Sequence, residues 1–378
     1  MKRYSEKGSH HLVLVVVAVV VLIGILGFVG YNSWQKKQAN AGGTSTLGSS
    51  RSIVYTLSGS SHLKQGGAHV ITPGGKDTFL SGLSYIHFYD VSSDGQWLLA
   101  QNGADGSIGA VSVKTKQYTQ YVPDGRNCYS GSIQDEFDGK FAPSKSSTTP
   151  PTLYYSVNSA PCKTIIYQSG TIYRVGPKGK GRKVILRENT KGVGLYIMDI
   201  SNNETLAVSK WNSSTLKGNT IVVTKAGTKK TFKNAINAAL SGNGKKLVYS
   251  SGSSHYEVNM NATGKVKLAL PKYANDVALN YDGSKLGYYV NTASNAQKLY
   301  AYTVKNKAKV FIDTSKTPGS KVYPNYDLSP DGSKLVFTHI DRVNKKYQLV
   351  TASISGHNKK VIKNLDYMDT SEALLHWR

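Results

Sequence analysis

LSPDGSKLVF, residues 328–337, is the stretch whose reading decides the fold. An apolar residue leads into Ser-Pro-Asp-Gly, and a run of alternating polar and apolar side chains leaves it. Asp-Gly supplies the positive-φ positions of a tight hairpin turn, so the segment reads as two antiparallel strands. The same pattern recurs as VSSDGQWLLA at 91–100, LSGNGKKLVY at 240–249 and LNYDGSKLGY at 279–288. Two weaker copies are MDISNNETLAV at 198–208 and IQDEFDGK at 133–140, the second followed after an insertion by TLYYSV at 152–157. Repeats every 40–50 residues or so have the length of one four-stranded propeller blade.

Each unit carries two further strands joined by a Gly/Lys turn, as in TIYRVGPKGKGRKVILR at 171–187 and QLVTASISGHNKKVIK at 348–363. Six complete units follow, at about 83–124, 125–190, 194–234, 235–273, 275–316 and 322–366. Ahead of them, SIVYTL (52–57), AHVIT (68–72) and KDTFL (76–80) read as the last three strands of a unit without its first. At the other end, ALLHWR (373–378) is a lone strand. Three strands plus one make a further blade, and closing the ring removes the exposed sheet edges of an open array. The expected fold is therefore an all-β, seven-bladed β-propeller over residues 51–378. Six blades is the alternative, and an open β-solenoid or two sandwiches stay open because repeat length alone does not force a ring.

The run YPNYDLSPDGSKLVFTH (323–339) resembles the WD40-like repeat of TolB-type propellers, matching it at Pro324, Ser329, Pro330, Asp331, Gly332, Lys334, Leu335 and Phe337. The other copies keep Asp94-Gly95, Asn243-Gly244 and Asp282-Gly283 without the proline. The resemblance implies a propeller in a periplasmic or extracellular setting. It does not imply TolB's own role: TolB proteins carry an α/β domain ahead of the propeller, and nothing here resembles it. Fold does not fix function.

Residues 12–30 carry no charge and are almost all Val, Leu, Ile, Ala and Gly. As a helix this run spans about 28 Å, close to the hydrocarbon core of a bilayer. Lys2, Arg3 and Lys7 precede it, while Tyr31 and Trp34 follow at interfacial depth. We expect a cytoplasmic head (1–11), a single transmembrane anchor (12–31) with the N-terminus inside, a polar stalk (32–50) and a domain outside the plasma membrane. Ala39-Asn40-Ala41 has the form of a signal-peptide cleavage site, but it sits well downstream of the apolar core and behind Lys36 and Lys37. Gly24, Gly27 and Gly30 form a small-residue row that could pair helices.

Lys and Arg outnumber Asp and Glu by 47 to 22, for a net charge of +25. Such a field attracts polyanions, among them envelope polymers and anionic lipid. Lysines spread over turns also serve simple solubility, and nucleic acid is not an expected partner. The two cysteines, Cys128 and Cys162, read as a disulfide in an exported domain. It would close a loop of about 35 residues, worth roughly 3–4 kcal/mol.

The chain contains no G-x-S-x-G elbow and no H-E-x-x-H pair, and VSSDGQW lacks the spacing of a sialidase Asp-box. Counting four residues back from each turn Asp or Asn gives Asp90, Gln134, Asp199, Ala239, Ala278 and Asp327. Asp90, Asp199 and Asp327 would then share one position on the innermost strands. They could hold a cation such as Ca²⁺ or a basic ligand group, or each could order its own strand start by accepting local hydrogen bonds. Tyr118, Tyr121, Arg126, Tyr129, Tyr154 and Tyr155 are candidates for a protein or glycan contact. These features point to a binding scaffold at the cell envelope. The alternatives are a metal-assisted hydrolase or lactonase using the axial acids, and a structural subunit of an envelope or secretion complex.

Overall fold

The computed structural model describes residues 53–57, 67–71, 77–79, 85–102, 106–123, 133–144, 148–162, 166–292, 296–315, 325–341, 343–365 and 375–377. The proposed membrane anchor and stalk lie outside these residues. Among the described residues, no helix is long and apolar enough to cross a membrane.

The chain is an all-β propeller of four-stranded antiparallel sheets. The strands preceding the first complete unit are β1 (Ile53–Leu57), β2 (Gly67–Ile71) and β3 (Asp77–Phe79). Six sheets then follow, each built from consecutive strands. Sheet 1 comprises β4 (Tyr85–Val91), β5 (Trp97–Asn102), β6 (Ile108–Ser112) and β7 (Tyr118–Val122). Sheet 2 comprises β8 (Ile133–Phe141), β9 (Leu153–Pro161), β10 (Ser169–Val175) and β11 (Lys183–Glu188). Sheet 3 comprises β12 (Val193–Ile200), β13 (Leu206–Asn212), β14 (Lys217–Val223) and β15 (Lys229–Phe232). Sheet 4 comprises β16 (Ile236–Leu240), β17 (Lys246–Ser251), β18 (Ser254–Asn259) and β19 (Val266–Leu268). Sheet 5 comprises β20 (Ala274–Leu279), β21 (Lys285–Asn291), β22 (Gln297–Thr303) and β23 (Ala308–Ser315). Sheet 6 comprises β24 (Tyr326–Leu328), β25 (Lys334–Asp341), β26 (Lys346–Ser353) and β27 (Lys360–Leu365).

A further, composite sheet joins the two extremities in the order β28-β1-β2-β3, where β28 is Leu375–Trp377. Ile53 lies opposite Trp377 and Tyr55 opposite Leu375, so the expected meeting of the N-terminal and C-terminal segments is present. Strand β28 also touches β24 of sheet 6. On the other side, Ala68 and Val70 of β2 pack with Val91, Leu98, Ala100 and Val111 of sheet 1. The first strands of successive sheets touch one another from β4 through β8, β12, β16, β20 and β24, which makes them the inner strands.

The turn between first and second strands shows why Ser-x-Asp-Gly recurs. In sheet 6 the Ser329 hydroxyl donates to Asp331 Oδ1 (2.6 Å) and accepts from the Lys334 amide (2.9 Å). Asp331 Oδ1 also accepts from the Ser333 amide (3.0 Å), and Gly332 takes φ 67°. Ser92 and Asp94 repeat this in sheet 1. The side chains of this turn thus satisfy the amides that a tight reversal leaves without a strand partner.

Successive turns are hydrogen-bonded to each other. The Asn202 amide donates to the Gly242 carbonyl (2.8 Å), Asn243 to Tyr281 (2.8 Å) and Tyr281 to Pro330 (3.3 Å). The turns between third and fourth strands dock on the same end of each sheet. Val113 donates to Gln96, Met260 to Lys245, Val304 to Ser284 and Ile354 to Ser333. Both sets of turns therefore lie on one face of the ring, here called the turn face.

Candidate functional site

The inner strands hold the charged residues nearest the axis. Asp90, Asp199 and Asp327 do occupy one repeat position, and all three are buried. A β-bulge precedes Asp90 in β4 and Asp199 in β12, re-aiming the side chain. Asp90 Oδ2 accepts the Phe141 amide of sheet 2 (2.8 Å). Asp199 Oδ2 accepts the Leu240 amide of sheet 4 (3.0 Å), while its Oδ1 takes the adjacent Ile200 amide (2.8 Å). Asp327 Oδ1 likewise accepts from Leu328 (2.8 Å).

Asp90 and Asp199 are thus struts from one sheet to the next, a longer reach than the local strand-start role expected of them. Among the described residues, no three His, Cys, Asp or Glu side chains converge as a metal requires. Of the two readings of Asp90, Asp199 and Asp327, the hydrogen bonds follow the second: the acids lie in separate sheets, and each accepts at least one backbone amide.

Sheet 2 departs from the expected register. Its Asp138-Gly139 is not a turn but lies inside the strand β8. Phe141, one residue after Lys140, receives the strut from Asp90 as Leu240, one residue after Ala239, receives that from Asp199. Lys140 therefore takes the axial position assigned to Gln134, and it is 1% exposed. Two residues earlier sits Asp138, whose carboxyl is pushed up to about 8 by burial, against the opposing pull of the Lys140 charge and the Gly139 and Ile197 amides. This buried pair was missed because the Asp-Gly dipeptide was read as a turn.

The contact residues divide similarly. Tyr121, Tyr154 and Tyr155 are buried and do not form an exposed contact surface. The Tyr121 hydroxyl donates to the Pro151 carbonyl of sheet 2. Tyr154 donates to Glu204 Oε2 (2.8 Å) and accepts from Arg174 Nε (3.1 Å). Tyr118 is half-buried, with its hydroxyl 2.9 Å from Ser107 Oγ. Arg126, Cys128 and Tyr129 lie outside the described residues. Cys162, just beyond β9, is disulfide-bonded.

Glu204 replaces glycine in the sheet 3 turn, at φ 58°. Lys225 bonds its Oε1, and Arg174 lies 3.6 Å from its Oε2. Burial pushes the carboxyl up, but these cations and the Tyr154 hydroxyl outweigh it and leave the group below its usual range. The ion cluster thus pins the turn of sheet 3 to sheet 2.

A second repeated feature lies further out, on the turn face. In sheets 2, 4 and 5 a second-strand tyrosine pairs with a third-strand tyrosine, and a cation lies over the latter. The sets are Tyr155, Tyr173 and Arg182; Tyr249, Tyr256 and Lys265; and Tyr288, Tyr300 and Lys309. Ring centroids are 5.1, 5.7 and 5.4 Å apart. The cations stand 3.9, 4.1 and 5.2 Å from the third-strand ring centroids. Such contacts contribute about 0.5–1 kcal/mol each where exposed. Their sequence signal, a cation nine residues after the tyrosine, is clear only once the strands are in register.

No protein-family model and no curated protein matches the chain. Solved structures do. A protein from Lactobacillus plantarum aligns over 86% of this chain and 99% of its own, at 13% identity and TM-score 0.54. An oligogalacturonate lyase in complex with manganese aligns over 72% of this chain and 79% of its own, at 16% identity and TM-score 0.52. TolB from Acinetobacter baumannii aligns over 86% of this chain and 66% of its own, at 13% identity and TM-score 0.47. At these identities the first two likenesses speak to the propeller fold alone, and the third is too loose to add to it.

Proposed function

We propose that this chain is a membrane-anchored propeller outside the plasma membrane whose ring is a binding scaffold for a protein or polymer of the cell envelope. The observation that carries the reading is the use made of the axial acids. The carboxylates of Asp90 and Asp199, which a hydrolase would need free, accept backbone amides of the neighbouring sheet. The surface left for partners is the outside of the ring, above all the turn face. In this reading the composite sheet is a seventh blade that closes the ring, and residues 12–31 are the anchor. The disulfide at Cys162 favours an oxidising compartment. The chain has one other cysteine, Cys128, and this reading takes it as the partner.

The test uses the full chain, immobilised in neutral detergent, against a solubilised envelope fraction. A scaffold retains a discrete component above physiological salt, at fixed stoichiometry, and releases it chemically unchanged. Retention of nothing above that salt, or recovery of a cleaved or isomerised component, would overturn the reading.

A further inference from the structure

The cation found nine residues after the centre of the third strand is not confined to the three tyrosine stacks. Ile221 and Val350 hold the same register in sheets 3 and 6, opposite Val208 and Phe337. Two residues beyond Ile221, Val223 faces Lys229, as Tyr302 beyond Tyr300 faces Lys309, and Lys359 stands nine residues beyond Val350. Sheets 2 to 6 thus each present one exposed cation at the same place: Arg182, Lys229, Lys265, Lys309 and Lys359. In sheet 1 the position belongs to Tyr118, whose ring lies 2.5 Å from where a Cβ on Gly109 would be.

The neighbouring turns continue the pattern. VKTKQ (113–117), GPKGKGRK (176–183), TKAGTKK (224–230), MNATGKVK (260–267), VKNKAK (304–309) and ISGHNKK (354–360) each carry two to four Lys or Arg and no Asp or Glu. All six lie on the turn face, as their hydrogen bonds to the first turns and the shared topology require.

We infer that the turn face of the ring binds a linear polyanion, a polymer of repeating phosphate groups, laid along this arc of cations; the inference rests on the scaffold reading above. Charge complementarity selects the class. The acids on this face are already engaged: Asp94, Asp282 and Asp331 accept amides of their own turns, Glu204 takes Lys225, and Asp313 lies 3.4 Å from Lys359. The more numerous cations therefore set the sign of the face, repelling basic partners and attracting a chain of anions. Where a tyrosine ring underlies the cation, part of its side-chain freedom is already lost before binding, which lowers the ordering cost. A flat anionic membrane is the lesser fit. The tips of these turns are Lys, Gly, Asn, Thr, Ala, Ser, Pro and His, with no tryptophan, phenylalanine or leucine wedge to enter the headgroup layer.

The experiment measures binding of fluorescent long-chain polyphosphate to the full chain in neutral detergent, by anisotropy, at low and physiological salt. One variant replaces the five arc cations (R182Q, K229Q, K265Q, K309Q, K359Q). A control of equal charge replaces five exposed lysines of the opposite face (K191Q, K217Q, K233Q, K272Q, K345Q). The arc variant is expected to lose at least about tenfold in affinity with a shallower salt dependence, and the control less than about twofold. Equal losses in both variants would overturn the inference, as would anionic phosphatidylglycerol vesicles binding where polyphosphate does not. If polyphosphate fails while wild type and arc variant retain the same envelope component, the polyanion is wrong and the scaffold stands. If nothing is retained either, both fall.

Discussion

Replacing Asp199 by alanine tests whether axial carboxylates brace the ring. Asp199 is 2% exposed and serves two amides, Ile200 in its own sheet and Leu240 in the next. The substitution leaves both donors without this acceptor, and Leu240 is fully buried. An unsatisfied buried donor costs about 1–3 kcal/mol, and hydrogen bonds to charged groups lie at the upper end. With Ile200 only partly buried, the expected loss is about 2–4 kcal/mol. Unfolding entropy near 2.1 cal/mol/K per residue over roughly 300 residues converts this to a fall in Tm of about 3–6 °C. Near-UV circular dichroism of the full chain in neutral detergent reads it. Asp199→Asn keeps one carbonyl acceptor and should fall between wild type and alanine. Lys191→Ala, exposed, is the control. If Asp199→Ala and the control both stay within about 1 °C of wild type, or asparagine costs more than alanine, the strut account is wrong.

Asp138 offers a pH test. Its folded pKa, about 8 against 3.8, is raised, so the native state holds a proton that the unfolded state releases. The protonated carboxyl's contribution is full below about pH 4 and is lost as pH rises towards 8. Asp138→Asn should therefore gain on wild type across that window by up to a few kcal/mol, and parallel stability profiles would refute it. Gly287→Ala should cost about 2–3 kcal/mol, because the new Cβ would stand 2.4 Å from Tyr326 Cε2, and Tyr326 hydrogen-bonds the Gly287 carbonyl (2.7 Å); chemical denaturation reads the loss. Cys162→Ser should cost roughly 3–4 kcal/mol, and reductant should lower wild type to the level of the variant while leaving the variant unmoved. Non-reducing peptide maps should join Cys128 to Cys162.

The hairpin turns were legible because their chemistry is local: Ser329, Asp331 and Gly332 specify the reversal within six residues. The meeting of β1 and β28 was legible by elimination, since three strands and one remained over. Sheet 2 was misread for a physical reason. Asp138-Gly139 has turn composition, yet the actual reversal lies beyond Phe141, around residues 142–152. Gly139 is instead needed where Leu99 and Leu153 press to 3.0 and 3.2 Å of a Cβ position. Tyr154 and Tyr155, candidates for an outward contact, are buried, one towards Glu204 and one against Tyr173, because β9 begins at Leu153 and carries both into the sheet. The cation arc was hidden because the register of the third strand emerges only when sheets are paired.

The composite sheet has a kinetic corollary. Ile53 and Trp377 are partners across about 320 residues, so their pairing has the largest loop-closure entropy among the described strand pairs and should form last. Until it does, β1 is an unfilled edge, and β28 is as available to a neighbouring copy as to its own. Refolding at rising concentration should therefore produce strand-exchanged dimers, in which each copy completes the other.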